Sequence, residues 1–196
     1  MGEPFKKGGW EITDVDWDGR FGADVVEDIT KWDYKAAFEP GHFDVVWASP
    51  DCRMYSMART RGGPRNFESS DLLVQTCIDI IQYLQPRCWW LENPDSGMLK
   101  GRSVVEGLPY VRVDYCMYQD PVMYRKRTRL WTNCTDWKPK LCDRSHLVDG
   151  RKHPSSAQRG FKKVDKRSGD KTFSRDQLHR LPKALCEEIF AVCSTL

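Results

Sequence analysis

The chain has no uninterrupted apolar stretch of the roughly 20 residues that a membrane-spanning helix needs. Met1 to Trp10 contains no hydrophobic region of the kind found in signal peptides. A soluble, intracellular protein with no membrane partner is expected. It also lacks any Cys-x-x-Cys pair. Its 8 cysteines are dispersed, and Cys77, Cys88, Cys116, Cys186 and Cys193 sit in apolar segments, so reduced and buried thiols are expected rather than a disulfide framework. No internal repeat is visible.

What is there suffices for one core: 196 residues, 40% of them hydrophobic and 12% aromatic. Net charge is only +3, but it is unevenly spread. Residues 1–50 hold 5 Lys/Arg against 11 Asp/Glu, whereas residues 138–183 hold 14 against 5. That basic flank has the electrostatic character of a polyanion-binding surface, the plainer alternative being a solvated charged loop.

Glu11 to Asp16 reads as a short strand ending in acids, and Phe43 to Ala48 as a nearly all-apolar strand suited to a sheet covered on both faces. Between Ser69 and Gln85, apolar residues keep helical spacing; Ser69 or Ser70 offers a cap and Pro86 a stop. A further apolar run, Cys88 to Leu91, follows at once. The spacing predicts a strand-helix-strand crossover with parallel strands. Tyr110 to Tyr115 and Arg129 to Thr132 can supply an antiparallel hairpin at the sheet edge, and a final helix is expected to start near Pro182. The chain divides into a catalytic-type unit at 1–133, a short basic region at 134–175 and a closing helix within 176–196.

Ser49-Pro50-Asp51-Cys52 delivers one thiol where the second strand should end, and Glu92-Asn93-Pro94 delivers a carboxylate where the third should end. A cysteine beyond a parallel strand can be exposed enough to attack an electrophile, with Arg53, Arg59 and Arg61 close enough in sequence to favour its thiolate. A lone cysteine after a strand is more often a small buried hydrophobe, but the paired glutamate and the arginine cluster favour the chemical reading. Glu92 follows so apolar a run that it should reach a partly desolvated crevice, where it could donate or share a proton; otherwise it caps a helix. In Tyr124 to Trp131, Arg125, Arg127 and Arg129 would share one strand face, suiting phosphate contact or the orientation of other side chains, unless they simply coat an exposed edge. Cys134, Cys142, His146 and His153 include zinc-type ligands, but their spacing fits no common finger pattern. They are read as loop residues, with no metal expected.

Together, Phe43 to Cys52, Glu92-Asn93-Pro94 and Arg127-x-Arg129 resemble three motifs of the cytosine carbon-5 DNA methyltransferase family, in order and with similar spacing. The resemblance covers roughly residues 8–135 and is nearest to short, phage-like members. It implies a Rossmann-like α/β sheet that binds S-adenosylmethionine. It also implies that Cys52 is the nucleophile, that Glu92 hydrogen-bonds the cytosine, and that Arg127 and Arg129 organise the pocket of a flipped base. On the cofactor side it implies Asp14 for the ribose and Val15 for the adenine, with Asp16 the alternate acid. Asp28 and Ile29 would meet the adenine edge, and Pro50 and Leu73 would line the cleft. The same motifs serve RNA cytosine methyltransferases, so DNA is the expected partner with RNA open.

Two of the family's motifs have no counterpart. The opening strand with Phe-x-Gly-x-Gly is missing, and Gly2 to Trp10 looks like the helix that follows it, with Gly8-Gly9 as a helix-ending turn. The family's Gly-Asn-Ser is also absent near His179 to Pro182. The sheet is therefore expected to lack its first strand, unless an upstream segment or a partner chain supplies it. The rival reading is a methyltransferase-like module that only binds nucleic acid or a protein. Arg53, Arg59, Arg125, Arg151, Lys152, Arg159, Lys162 and Lys163 are candidates for phosphate contact, and Gln158, Ser155 and Ser156 for base edges.

Overall fold

A computed structural model describes residues 1–59, 62–119, 124–147, 150–151, 153 and 175–195. In chain order its elements are α1 (Glu3–Lys7), β1 (Val15–Asp16), β2 (Val25–Val26), α2 (Tyr34–Ala37), β3 (Val45–Ala48), α3 (Phe67–Leu84), β4 (Cys88–Pro94), β5 (Tyr110–Asp114), β6 (Arg127–Thr132), α4 (Arg175–His179) and α5 (Lys183–Ser194), with short 3₁₀ turns between them.

The apolar runs pair as parallel neighbours: β3 lies on β4 with Ala48 opposite Leu91. β6 then inserts antiparallel between β4 and β5, giving the order β3-β4-β6-β5. The antiparallel hairpin is present at the sheet edge, with β5 outermost. β1 and β2 form a separate parallel pair, with no hydrogen-bonded strand joining the two sheets among the described residues.

α3 supplies the connection between the parallel strands. It starts three residues before the helix that a Ser69 cap would begin, because Asn66 accepts from the Ser69 N–H at 3.0 Å and caps it, leaving Ser69 and Ser70 inside the helix. It ends at Gln85, which takes a left-handed φ of 49° just before Pro86. Its buried residues Val74, Cys77 and Ile78 cover one face of the sheet, against Leu91 and Trp131. Leu185, Ile189 and Cys193 of α5 cover the other face, against Trp90, Leu130 and Val113. The sheet is thus enclosed between helices, as its continuous apolar strands require.

α1 joins the α5 side through Phe5, whose ring meets Phe190 edge-on at 5.1 Å. Gly8 and Gly9 end this helix. A Cβ on Gly8 would come within 2.4 Å of the Phe190 ring, so glycine is what allows the two helices to close. Residues 134–142 lie back on the same face: the Trp137 ring packs on Trp90 at 5.4 Å, and its indole N–H donates to Glu188 at 2.9 Å. No helix among the described residues is long and apolar enough to cross a membrane.

Candidate active site

Parallel pairing of β3 and β4 brings both motif ends to one edge of the sheet. Beyond β3, the chain turns through Pro50 into the Cys52 loop, and Asn93 ties the two ends together by donating from Nδ2 to Pro50 O at 3.1 Å. The loop is held from three sides. Arg65 donates to Met54 O, and to Ser56 O at 2.9 Å. The Tyr55 ring is fully buried and its hydroxyl donates to Asp71 of α3 at 2.7 Å. Asp71 is in turn paired with Arg102 at 2.5 Å. Tyr55 N–H closes the turn on Cys52 O at 3.1 Å. The half-buried thiol of Cys52 is therefore presented by a braced loop.

Glu92 is 9% exposed, unusual for a carboxylate. It accepts from the Tyr115 hydroxyl at 3.2 Å and has Lys126 Nζ 3.7 Å away. Burial pushes the Cys52 thiol above its usual range, and the negative charges of Glu92 and Asp51 add to this. Lys126 pulls the other way. Thiol and carboxylate are thus electrostatic neighbours, and the cation that favours the thiolate is Lys126 rather than the arginines near Cys52 in sequence. Arg53 instead pairs with Asp51 at 2.5 Å, and Arg59 donates to Gly62 O. Arg61 lies outside the described residues.

Arg127 and Arg129 share a face of β6, as their spacing requires. Each is fixed by a buried acid. Arg127 grips Asp114 through two hydrogen bonds, of 2.6 and 3.0 Å. Arg129 donates to Asp95 at 2.8 Å and stacks over Tyr110 at 3.8 Å. Arg125 lies before the strand and also bonds Asp114, at 3.1 Å, so this candidate phosphate contact is an anchored side chain. Burial alone would raise the Asp114 carboxyl, but Arg127, the Cys142 N–H and Arg125 outweigh it and hold it below the usual range.

The sequence motifs do not single out Lys126, Asp95 or Asp114. For Lys126 a signal existed: alternation puts it on the face opposite Arg127, with Leu130, which stands opposite Glu92 in the β4–β6 register.

The cofactor candidates cluster less tightly. Pro50 is buried and Leu73 half-buried. Ile29 packs on the α3-side core, while the Asp28 carboxylate caps its own turn, accepting from Thr30 N–H at 3.0 Å. Asp14 precedes β1; it is exposed and 3.7 Å from Lys6. β1 ends at Asp16, and Trp17 beside it is 73% exposed. The Asp16 carboxylate accepts from the Asp18 N–H at 2.8 Å, and Val15 is half-buried beside it in β1. Arg151 is exposed in a turn, whereas Lys152, Ser155, Ser156, Gln158, Arg159, Lys162 and Lys163 lie outside the described residues.

A thiol and a buried carboxylate gathered beyond the ends of adjacent parallel strands put the chain among mixed α/β proteins whose polar groups collect at the strand C-termini. No family model matches the sequence. It is, however, 37% identical over 200 residues to the probable DNA (cytosine-5)-methyltransferase of Frog virus 3 (isolate Goorha), an alignment taking in 94% of this chain and 90% of the viral protein. The chain belongs to the DNA (cytosine-5)-methyltransferase family.

Proposed function

We propose that the chain methylates carbon 5 of cytosine in DNA through a covalent adduct on Cys52. The observation that carries the proposal is that parallel β3 and β4, tied by the Asn93 to Pro50 hydrogen bond, bring the half-buried Cys52 thiol and the buried Glu92 carboxylate, with Lys126 beside it, to one edge of the sheet. Cytosine carbon 5 is a poor nucleophile until a thiolate adds to carbon 6. The thiol proton of Cys52 passes to solvent as its sulfur bonds to carbon 6. The electron pair displaced from the 5,6 double bond makes carbon 5 nucleophilic. Glu92 would give a proton to ring nitrogen 3, neutralising the negative charge that develops on the ring, and accept from the exocyclic amine, with Tyr115 and Lys126 orienting its carboxyl group. Once carbon 5 is methylated, loss of its proton and departure of the Cys52 sulfur restore the double bond.

S-adenosylmethionine, when bound, supplies the electrophilic methyl group. Asp16 at the end of β1 fits the ribose hydroxyls and the exposed Trp17 ring fits the adenine face, in a Rossmann-like arrangement with Asp28 and Ile29 on the adenine edge and Pro50 and Leu73 along the cleft. Because carbon 6 is hidden in a stacked duplex, the target base must be presented flipped out. Arg127 and Arg129, rigid on Asp114 and Asp95, then serve as positioning residues for that pocket. The exposed Arg53 and Arg151 and the basic stretch beyond residue 150 provide salt-dependent phosphate affinity.

The test is transfer of a tritiated methyl group to cytosine-containing DNA, with RNA of the same sequence in parallel, for wild type and Cys52→Ser. Wild type should label DNA and form a stable adduct with DNA carrying 5-fluorocytosine, and Cys52→Ser should do neither. Labelling by Cys52→Ser would sink the assignment of the nucleophile, and labelling of RNA alone would move the substrate class.

A further inference from the structure

Cys116, Cys142, His146 and His153 converge although up to 37 positions separate them in sequence. Their nearest ligand atoms all lie within 4.8 Å of one another. Cys142 Sγ is 3.4 Å from His153 Nε2 and 3.8 Å from His146 Nε2, and the two imidazole rings are 4.9 Å apart. Bond lengths of about 2.3 Å to sulfur and about 2.0–2.1 Å to nitrogen at tetrahedral angles place neighbouring ligand atoms roughly 3.3–3.8 Å apart. The cluster is close to that size, with 3.4 and 3.8 Å at Cys142 and no separation above 4.8 Å.

We infer that these four residues form a structural zinc site. Two thiolates and two neutral imidazoles neutralise the ion's charge, which suits a site with one buried and three half-buried ligands. The mixed sulfur and nitrogen set selects zinc over magnesium or calcium, and four protein ligands leave no open position for a reacting water. Zinc binding displaces two thiol protons to solvent.

The local chain is shaped to deliver the ligands. Cys116 sits on the 3₁₀ turn directly after β5. Asp143 accepts from the N–H and hydroxyl of Ser145, at 2.9 and 2.7 Å, in the turn that brings His146 back towards Cys142. The Cys142 N–H donates to Asp114 at 2.9 Å, the same carboxylate that grips Arg127. The ion therefore staples the start of the basic segment to the end of β5, beside the anchor of the arginine pair. Cys134, the other cysteine near this segment in sequence, takes no part; its sulfur lies 3.1 Å from Cys88.

The site is tested on purified full chain by metal analysis and by cobalt substitution. Wild type should carry one zinc per chain. With cobalt it should give the visible bands of a tetrahedral centre with sulfur-to-metal charge transfer. Cys116→Ser and His153→Ala should each weaken metal binding on the order of 100-fold or more, since outer-shell changes alone typically account for about 10–100-fold. Cys134→Ser should bind as wild type. Removing the metal with chelator should lower Tm and open trypsin cleavage after Arg144 and Arg151, and added zinc should reverse both. Metal-free protein that gains no zinc, full zinc retention by Cys116→Ser, or recovery of a Cys116–Cys142 disulfide peptide would each overturn the site. Should a ligand variant fail to fold, the wild-type cobalt spectrum still decides, because an octahedral or sulfur-free spectrum contradicts it.

Discussion

Lys126 Nζ stands 3.7 Å from the Glu92 carboxylate, with both side chains largely withdrawn from solvent at 16% and 11% exposure. The pair puts a positive and a negative charge beside one thiol, and their effects on it are opposite.

Lys126→Met should therefore raise the Cys52 pKa further above the usual thiol range, because the thiolate loses its favourable charge. Glu92→Gln should lower it by removing a like charge. Iodoacetamide alkylation of Cys52 across pH reads both shifts. At a fixed neutral pH, Lys126→Met should react more slowly than wild type and Glu92→Gln faster, even though Glu92→Gln loses methyl transfer. Equal alkylation profiles for all three proteins would contradict the electrostatic reading.

Asp114 has no exposed surface and holds two guanidinium groups. Asp114→Asn removes the charge but leaves both cations, and breaking a buried pair in this way costs about 3–5 kcal/mol. Arg125→Lys touches the more exposed partner, at 39%, and should cost less than about 1 kcal/mol. Urea denaturation of the two variants measures the contrast.

Asp71 gives the Cys52 loop an acid-sensitive brace. Burial raises its carboxyl, but hydrogen bonds from Arg102 and Tyr55 prevail and hold it below the usual range. A carboxyl depressed in the folded state stabilises above its unfolded pKa of about 3.9, and that contribution disappears as pH falls through the lower folded value. Wild-type Tm should accordingly fall more steeply than that of Asp71→Asn below about pH 5, the two curves converging in strong acid. Parallel curves would show that the brace carries no linkage.

Trp17, exposed at 73%, contributes little to the core. Trp17→Ala should leave Tm unchanged while weakening S-adenosylmethionine binding by about 1–3 kcal/mol, the usual worth of a base stacked on an aromatic ring. Val15→Ala should do the reverse, since Val15 is half-buried in β1. Isothermal titration with the cofactor and thermal melts separate the two outcomes.

The parallel pair and its crossover helix were legible because β3 and the start of β4 are continuous apolar runs separated by a segment of helical period. The meeting of the Cys52 loop and Glu92 at one sheet edge is legible for the same reason, since each follows one of those runs within a few residues. Lys126 stands between two arginines on the opposite face, so its partner becomes visible only once Leu130 is known to lie opposite Glu92. Asp95 and Asp114 look like ordinary turn and strand-end acids until β6 is known to lie between β4 and β5. Cys116 could not be joined to Cys142 by spacing, since the sheet, and not the local chain, brings them together. The start of α3 was misplaced because Asn66 caps as well as a serine does and lies three residues earlier than Ser69.

β3 has consequences for handling the protein. Among the described residues it pairs with β4 alone, so Val45-Val46-Trp47-Ala48 presents an apolar, parallel-type edge that two chains at high concentration could share. Its brevity, at 4 residues, and the flanking Asp44 and Pro50 act as gatekeepers against fibre-like stacking. Lengthening that strand or neutralising Asp44 would be expected to trade solubility for self-association.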